Sequence, residues 1–264
     1  MSEKQKWDWR APFALGVMAL VAAALPASAI NALDLVGYAV CHRIPERSFI
    51  IAGNQLPVCA RDTGMFIGVL MGVIVFAVLP RRRAAGFPRA PFTFALLAFF
   101  LAWAFDGFNS YLLLLLGHQF LYMPQNWLRL VTGAFMGVAL SAFVVPLFNQ
   151  AVWPPEQTLE EPSVASWKDI LRLMAIALAV IAIVLWQPAF LYGPLALLSV
   201  VGVIGLLAMV NGLFIVIFSH RAQKITHWAR LLPFLLMGLA MTALEIGAID
   251  YARATLTRTL GLPY

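Results

Sequence analysis

Residues 191 to 218 read LYGPLALLSVVGVIGLLAMVNGLFIVIF, twenty-eight positions without one charged side chain, interrupted only by Tyr192, Ser199 and Asn211 as polar groups. A helix needs about 20 apolar residues to cross the hydrocarbon of a bilayer, so this stretch decides the fold class: an all-α, polytopic transmembrane helix bundle. Working outward, six more apolar stretches lie at 12 to 33, 64 to 80, 91 to 106, 129 to 150, 169 to 187 and 231 to 250, which predicts about seven spans. The chain of 264 residues agrees as a whole, being 62% hydrophobic and 11% charged with a mean hydropathy of +0.86; a soluble domain carries roughly 25% charged residues to solvate its surface. The third stretch is short. Tyr111 to Leu116, bracketed by Asp106, Asn109 and His118, reads as a separate re-entrant or surface half-helix.

Basic residues set the direction. With the N-terminus inside, the inner loops collect twelve of the eighteen Lys and Arg, among them Lys4, Lys6, Arg10, Arg81, Arg82 and Arg83, and the outer loops collect Arg43, Arg47, Arg61, Arg129, Arg253 and Arg258. The expected protein is a multi-pass plasma-membrane protein with its N-terminus cytoplasmic and its C-terminus outside. The net charge of +6 then falls on the inner face, while the outer face balances six bases with Asp34, Glu46, Asp62, Asp106, Glu245 and Asp250. The chain's partner is the lipid bilayer, and no nucleic acid is needed to explain the charge. The first span also resembles a signal peptide, because Lys4, Lys6 and Arg10 precede an apolar run ending in Ala27-Ser28-Ala29; we read it as a helix. The acidic segment at 152–168, with Glu156, Glu160 and Glu161, reads as a cytoplasmic linker between a four-helix region at 1–151 and a three-helix region at 169–264.

The second and fourth spans share a pattern. Thr63-Gly-Met-Phe-Ile-Gly-Val69 and Thr132-Gly-Ala-Phe-Met-Gly-Val138 both read T-G-x-F-x-G-V, with Arg61 and Arg129 just upstream. Gly64, Gly68 and Gly72 in one, and Gly133, Gly137 and Ser141 in the other, form small-residue stripes that let helix backbones approach closely in lipid. An internal repeat of helices one and two as three and four follows, about an axis along the membrane normal.

The segment between the first two spans holds the chemistry: Cys41-His-Arg-Ile-Pro-Glu-Arg-Ser-Phe49, then Gln55-Leu-Pro-Val-Cys-Ala-Arg-Asp-Thr-Gly64. On these residues the chain resembles a prokaryotic family of predicted integral membrane proteins, a domain of unknown function with the pattern C-H-x-x-P-E-R-S-F, a spacer, P-x-C-A-R-x-T-G and a Gly-rich helix. The match covers about residues 41 to 75, with a weaker echo through Asp106 and Arg129 to Gly137. Where many members carry a second cysteine, giving C-x-x-C, this chain has Asp62. The resemblance implies a membrane location and brings no activity.

Read as chemistry, Cys41, His42, Cys59 and Asp62 offer sulfur, imidazole and carboxylate ligands, a set zinc accepts in tetrahedral geometry. A Cys41–Cys59 disulfide on an oxidising face and two packed, unpaired cysteines are the alternatives. Glu46, Arg47, Arg61 and Asp62 suit an ion-pair network closing the loop, and Arg43, Glu46, Arg47, Arg61, Asp106 and Arg129 suit an ion-pair or small-anion site, since the guanidinium fork binds oxyanions in pairs. Glu245 is a carboxylate inside the last span, a functional candidate by position, with an outer arginine such as Arg61 or Arg129 as its structural partner. Asn211 reads as glue between helices, and His118, His220 and His227 as solvated interface residues. No Walker loop, dinucleotide fingerprint, H-E-x-x-H or G-x-S-x-G occurs, which favours a non-enzyme. Two functions remain: a membrane protein with an outward polar site for a metal, disulfide or small solute, or a structural accessory subunit of a larger respiratory or photosynthetic complex; a homo-oligomer or a larger membrane complex is compatible with the sequence.

Overall fold

The computed structural model describes residues 27–78 and 81–260. The expectations for residues 12 to 26, membrane span or cleaved leader, lie outside the described residues. The helices are α1 (Ala27–Val40), α2 (Ala60–Val78), α3 (Ala90–Leu116), α4 (Asn126–Val152), α5 (Trp167–Trp186), α6 (Tyr192–Phe218) and α7 (Trp228–Leu260). Six of these, α2 to α7, are long and apolar enough to cross a membrane. At 1.5 Å per residue the 19-residue α2 is about 28 Å long, close to the roughly 30 Å of hydrocarbon it has to match. The fold is an all-α, multi-pass membrane bundle.

One expectation is corrected. The third helix does not stop at residue 106; α3 runs unbroken through Tyr111–Leu116 to a left-handed cap at Gly117, whose N–H donates to the Leu113 carbonyl at 3.1 Å. The half-helix was expected because Asp106 and Asn109 interrupt an apolar run. Both are buried beside Ser110 on one face of α3, where tertiary partners satisfy them, so the helix has no reason to break.

At the centre, α2 and α4 run side by side in the same direction, and α4 is the most buried helix. Their contact is reciprocal. A Cβ at Gly64 would press on the Leu130 carbonyl, and one at Gly133 would overlap the Arg61 carbonyl; Gly68 faces the Ala134 carbonyl, and Gly137 the Met65 carbonyl. Each pair becomes the other when the two T-G-x-F-x-G-V segments are exchanged. Gly72 meets the Ser141 side chain one turn further on. A side chain at Gly64, Gly68, Gly133 or Gly137 has to push two backbones apart. The stripe also serves a third helix, since Gly202 of α6 sits against the Phe66 carbonyl.

The segment at 152–168 is fastened to the bundle at several points. Pro146 inside α4 has no N–H to give to Ala142 four residues back, and the freed carbonyl takes the Ser163 hydroxyl at 2.9 Å. Two short parallel strands, β3 (Ala84–Gly86) and β4 (Leu159–Pro162), tie the segment to the loop after α2. Asn149 donates to the carbonyls of Arg82 and Ala84 at 3.0 and 2.9 Å. Asp169, in a capping box with Ser166 at the start of α5, binds Arg81 through both oxygens at 2.8 Å. Glu156, Glu160 and Glu161 remain exposed.

Candidate functional site

At the other end of the bundle the chain between α1 and α2 folds down over the helix ends. Gly37 allows this: a Cβ there would overlap the Pro57 carbonyl, so the absence of a side chain lets Leu56 to Cys59 lie against the last turn of α1. Strands β1 (Ile50–Ile51) and β2 (Asn54–Gln55) form a hairpin whose turn residues Ala52 and Gly53 both have positive φ, 51° and 78°, the combination that matches strand twist in a two-residue turn. Phe49, Ile51 and Leu56 are buried beneath it, and Tyr192 at the start of α6 donates to the Gln55 carbonyl at 3.3 Å.

The end of α1 is clamped from the far end of the chain. Arg253 of α7 stacks on the Tyr38 ring with its guanidinium carbon 4.1 Å from the centroid. It donates to the carbonyls of Tyr38, Cys41 (2.7 Å) and His42 (3.4 Å). These include carbonyls that a helix leaves unpaired at its C-terminus, where a cation is also favoured by the helix dipole. Beyond the clamp Arg43 takes a left-handed φ of 50°, an uncommon conformation for a residue with a Cβ, and the irregular backbone lets the neighbours Cys41 and His42 turn to the same side.

Cys41, His42 and Cys59 come together there, with one ligand atom from each lying within 4.8 Å of the others. Both cysteines are buried and unbonded to one another, and the Cys59 N–H donates to the Cys41 sulfur at 3.1 Å. Hydrogen bonds from Cys59 hold the Cys41 thiol below its ordinary value, and the Cys59 thiol, the donor in that pair, is pushed up. His42 is pushed down to about 4, first by desolvation and then by the guanidiniums of Arg47, Arg129, Arg61 and Arg253; its Nδ1 accepts the Ile44 N–H at 3.1 Å. The imidazole is therefore neutral at physiological pH. Asp62, one residue past Arg61 at the start of α2, lies beside both sulfurs but outside the tight cluster.

The expected Glu46–Arg47–Arg61–Asp62 network does not form. Arg61 reaches across to Asp106 of α3, donating through Nε at 3.1 Å and through Nη2, and also to the Ser110 hydroxyl at 3.1 Å. Tyr122 donates to the other Asp106 oxygen at 2.7 Å. Arg43 pairs with Asp34 at 2.9 Å, and Arg47 reaches the Ser110 carbonyl at 3.5 Å. Arg129 is buried at 5% exposure and bonds the amide of Asn126 at 2.8 Å; neither it nor Arg47 has a carboxylate partner among the described residues. Glu46 is exposed and contributes its backbone carbonyl to Asn126. The cysteine cluster thus sits in an electropositive surround with more guanidiniums than paired acids.

Glu245 is not paired with an outer arginine. Asn211 of α6 donates to it at 2.8 Å and to Thr242 at 3.1 Å, which joins α6 to α7 inside the membrane layer. His118, His220 and His227 are all exposed. A cavity of about 540 Å³ opens elsewhere, between α2, α4, α6 and α7 and next to Arg82 and Arg83, and Glu245 does not line it. Sequence reasoning missed Arg253, Gly37 and Tyr122. The one available signal was on α3, where Asp106, Asn109 and Ser110 follow the i, i+3, i+4 spacing of a single helix face.

Comparison with known proteins places these observations. Residues 41–143, from the cysteine cluster through most of α4, match the family model described as "Predicted membrane protein (DUF2085)". An uncharacterised protein of Methanocaldococcus jannaschii is 31% identical over 114 residues, 43% of this chain and 67% of the relative. An uncharacterised protein of Methanothermobacter thermautotrophicus is 32% identical over 102 residues, 39% of this chain and 81% of the relative. No solved structure matches the chain.

Proposed function

Because the chain belongs to the DUF2085 family of predicted membrane proteins, its chemistry has to work at the polar end of a lipid-embedded bundle, and we propose that this end is a zinc site built from Cys41, His42 and Cys59, with Asp62 as fourth ligand. The convergence of three ligand atoms within 4.8 Å carries the reading. In a tetrahedral site with Zn–S bonds of about 2.3 Å the sulfurs stand about 3.8 Å apart, so the two cysteines have to close by about 1 Å at most, and Asp62 has to swing in from outside the cluster. The electrostatics help the ligands more than the ion: neutral His42 needs no deprotonation, and the guanidiniums around the cluster favour thiolates. Two thiolates and a carboxylate would leave the zinc complex with one negative charge, which Arg47 and Arg129 offset.

The site faces outward in this reading, because the basic excess at Arg81 to Arg83 marks the opposite end as cytoplasmic. The reciprocal α2–α4 contact supports a duplicated unit within residues 1–151, to which 152–168 ties the three-helix region 169–264. Cobalt(II) substitution tests the site. Wild-type protein should give the visible absorption of a tetrahedral thiolate complex, Cys59→Ala should abolish it, and Asp62→Ala should shift it; an octahedral, thiolate-free spectrum from wild type contradicts the proposal. The accessory-subunit reading draws on the low burial of α3 and α7, which lipid also satisfies, and a stoichiometric membrane-protein partner after mild solubilisation would favour it.

A further inference from the structure

The cavity at the other end of the bundle has features of a ligand site that neither the family nor the cysteine cluster accounts for. Its volume of about 540 Å³ is within the roughly 300–1,000 Å³ typical of small-molecule pockets. The walls are Val73 and Ala77 of α2, Val145 and Phe148 of α4, and Val201 to Met209 of α6, closed by Leu235, Leu236 and Leu239 of α7. Leu236 and Leu239 are exposed residues, at 55% and 43%, so the space is a cleft open beside α7. Gly205 explains why it exists. The other α6 glycines that meet a neighbour, Gly202 and Gly212, pack on α2 and α7, whereas a Cβ at Gly205 would meet nothing within 4 Å.

The charges at the cleft have one sign. Among the described residues, Arg82 and Arg83 are the charged ones that line it. Arg83 stacks 4.5 Å above Trp153 and donates to the neutral amide of Gln157 at 2.8 Å, while the exposed Arg82 side chain has no hydrogen bond or ion pair among the described residues. The neighbouring Arg81 is already neutralised by Asp169. Two uncompensated guanidiniums over an apolar cleft, flanked by Trp153 and Trp228, complement a molecule with a phosphate at one end and hydrocarbon at the other. Basic pockets between membrane helices recognise anionic headgroups in this way. We propose that the cleft binds one anionic phospholipid, its phosphate on Arg82 and Arg83 and an acyl chain along Gly205.

The full-length protein, purified in mild detergent, is equilibrated with phosphatidylglycerol or phosphatidylcholine of identical chains and examined by native mass spectrometry, with the thermal midpoint measured in parallel. One phosphatidylglycerol per chain should be retained over phosphatidylcholine by about 30-fold, as two surface cations predict, and it should raise the midpoint. Arg82→Gln with Arg83→Gln should bring the two lipids level, and Gly205→Phe should remove retention while leaving the lipid-free midpoint unchanged or higher. If Gly205→Phe fails to fold, the arginine pair decides, since it lies at the cleft mouth. Equal retention of the two lipids by wild type, unaltered retention in the arginine variant, or equal protection by inorganic phosphate overturns the proposal.

Discussion

Asp106 accepts three hydrogen bonds at once, two from the Arg61 guanidinium and one from the Tyr122 hydroxyl, and its side chain is 2% exposed. Removing one partner from a buried pair leaves an uncompensated charge, which costs about 3–5 kcal/mol. Asp106→Ala should therefore lower the thermal midpoint sharply, and Asp106→Asn by less, because an amide still accepts from Tyr122. Arg253→Ala removes bonds to three carbonyls and a cation–π contact; each charge-assisted hydrogen bond is worth about 1.5–3 kcal/mol, and the expected outcome is lower stability together with weaker metal retention, read by thermal melting and metal titration. His42 gives a pH prediction. Its folded value of about 4 lies below the ordinary 6.5, so at intermediate pH the unfolded chain binds a proton that the folded chain does not. Stability of the metal-free protein should fall as pH drops from about 6.5 toward 4, and His42→Gln should flatten that slope in melting curves taken across the range; an unchanged slope contradicts the assignment. The cysteine and histidine cluster was legible in the sequence because its members lie within nineteen residues. Arg61 and Asp106 were legible only as members of one six-residue ion-pair set, because Asp106 lies 45 residues away and the nearer acids Glu46 and Asp62 suit Arg61 equally well by residue type.

At the scale of elements, close helix contact depends on missing side chains. Gly68→Leu and Gly137→Leu each drive a side chain into the opposite backbone, and overpacking costs typically 1–3 kcal/mol or more; both variants should melt well below wild type, whereas Gly205→Leu, which enters open space, should not. Comparable midpoints for all three would sink the reciprocal-packing account. Ser163→Ala strands the carbonyl that Pro146 leaves unpaired, and about 1–3 kcal/mol should be lost. The apolar periods located six long helices, and the glycine stripes marked close-approach faces on α2 and α4 without saying that the two face each other. The polar residues of α3 read as a break in the sequence, yet they find partners across the bundle and the helix continues. What fastens the acidic segment at 152–168, a strand pair and a carbonyl that Pro146 leaves unpaired, does not show in its composition.

The whole molecule has two unlike ends joined by a tightly packed bundle. One end gathers thiols, an imidazole and guanidiniums under a hairpin; the other offers two guanidiniums without an acid partner among the described residues, beside an apolar cleft. The alternation of the six long helices α2 to α7 returns the end of α7 to the side where α2 begins, and there Arg253 joins it to the end of α1. A reporter fused after Leu260 should accordingly be exposed outside the cytoplasm, and cytoplasmic labelling would reverse the orientation. The central claim concerns the cysteine end, and elemental analysis of the purified full-length protein, with intact-mass measurement under non-reducing conditions, tests it most directly. The account predicts one zinc per chain, lost in Cys59→Ala, with both thiols reduced; metal-free protein two hydrogens lighter, carrying a Cys41–Cys59 bond, would contradict it.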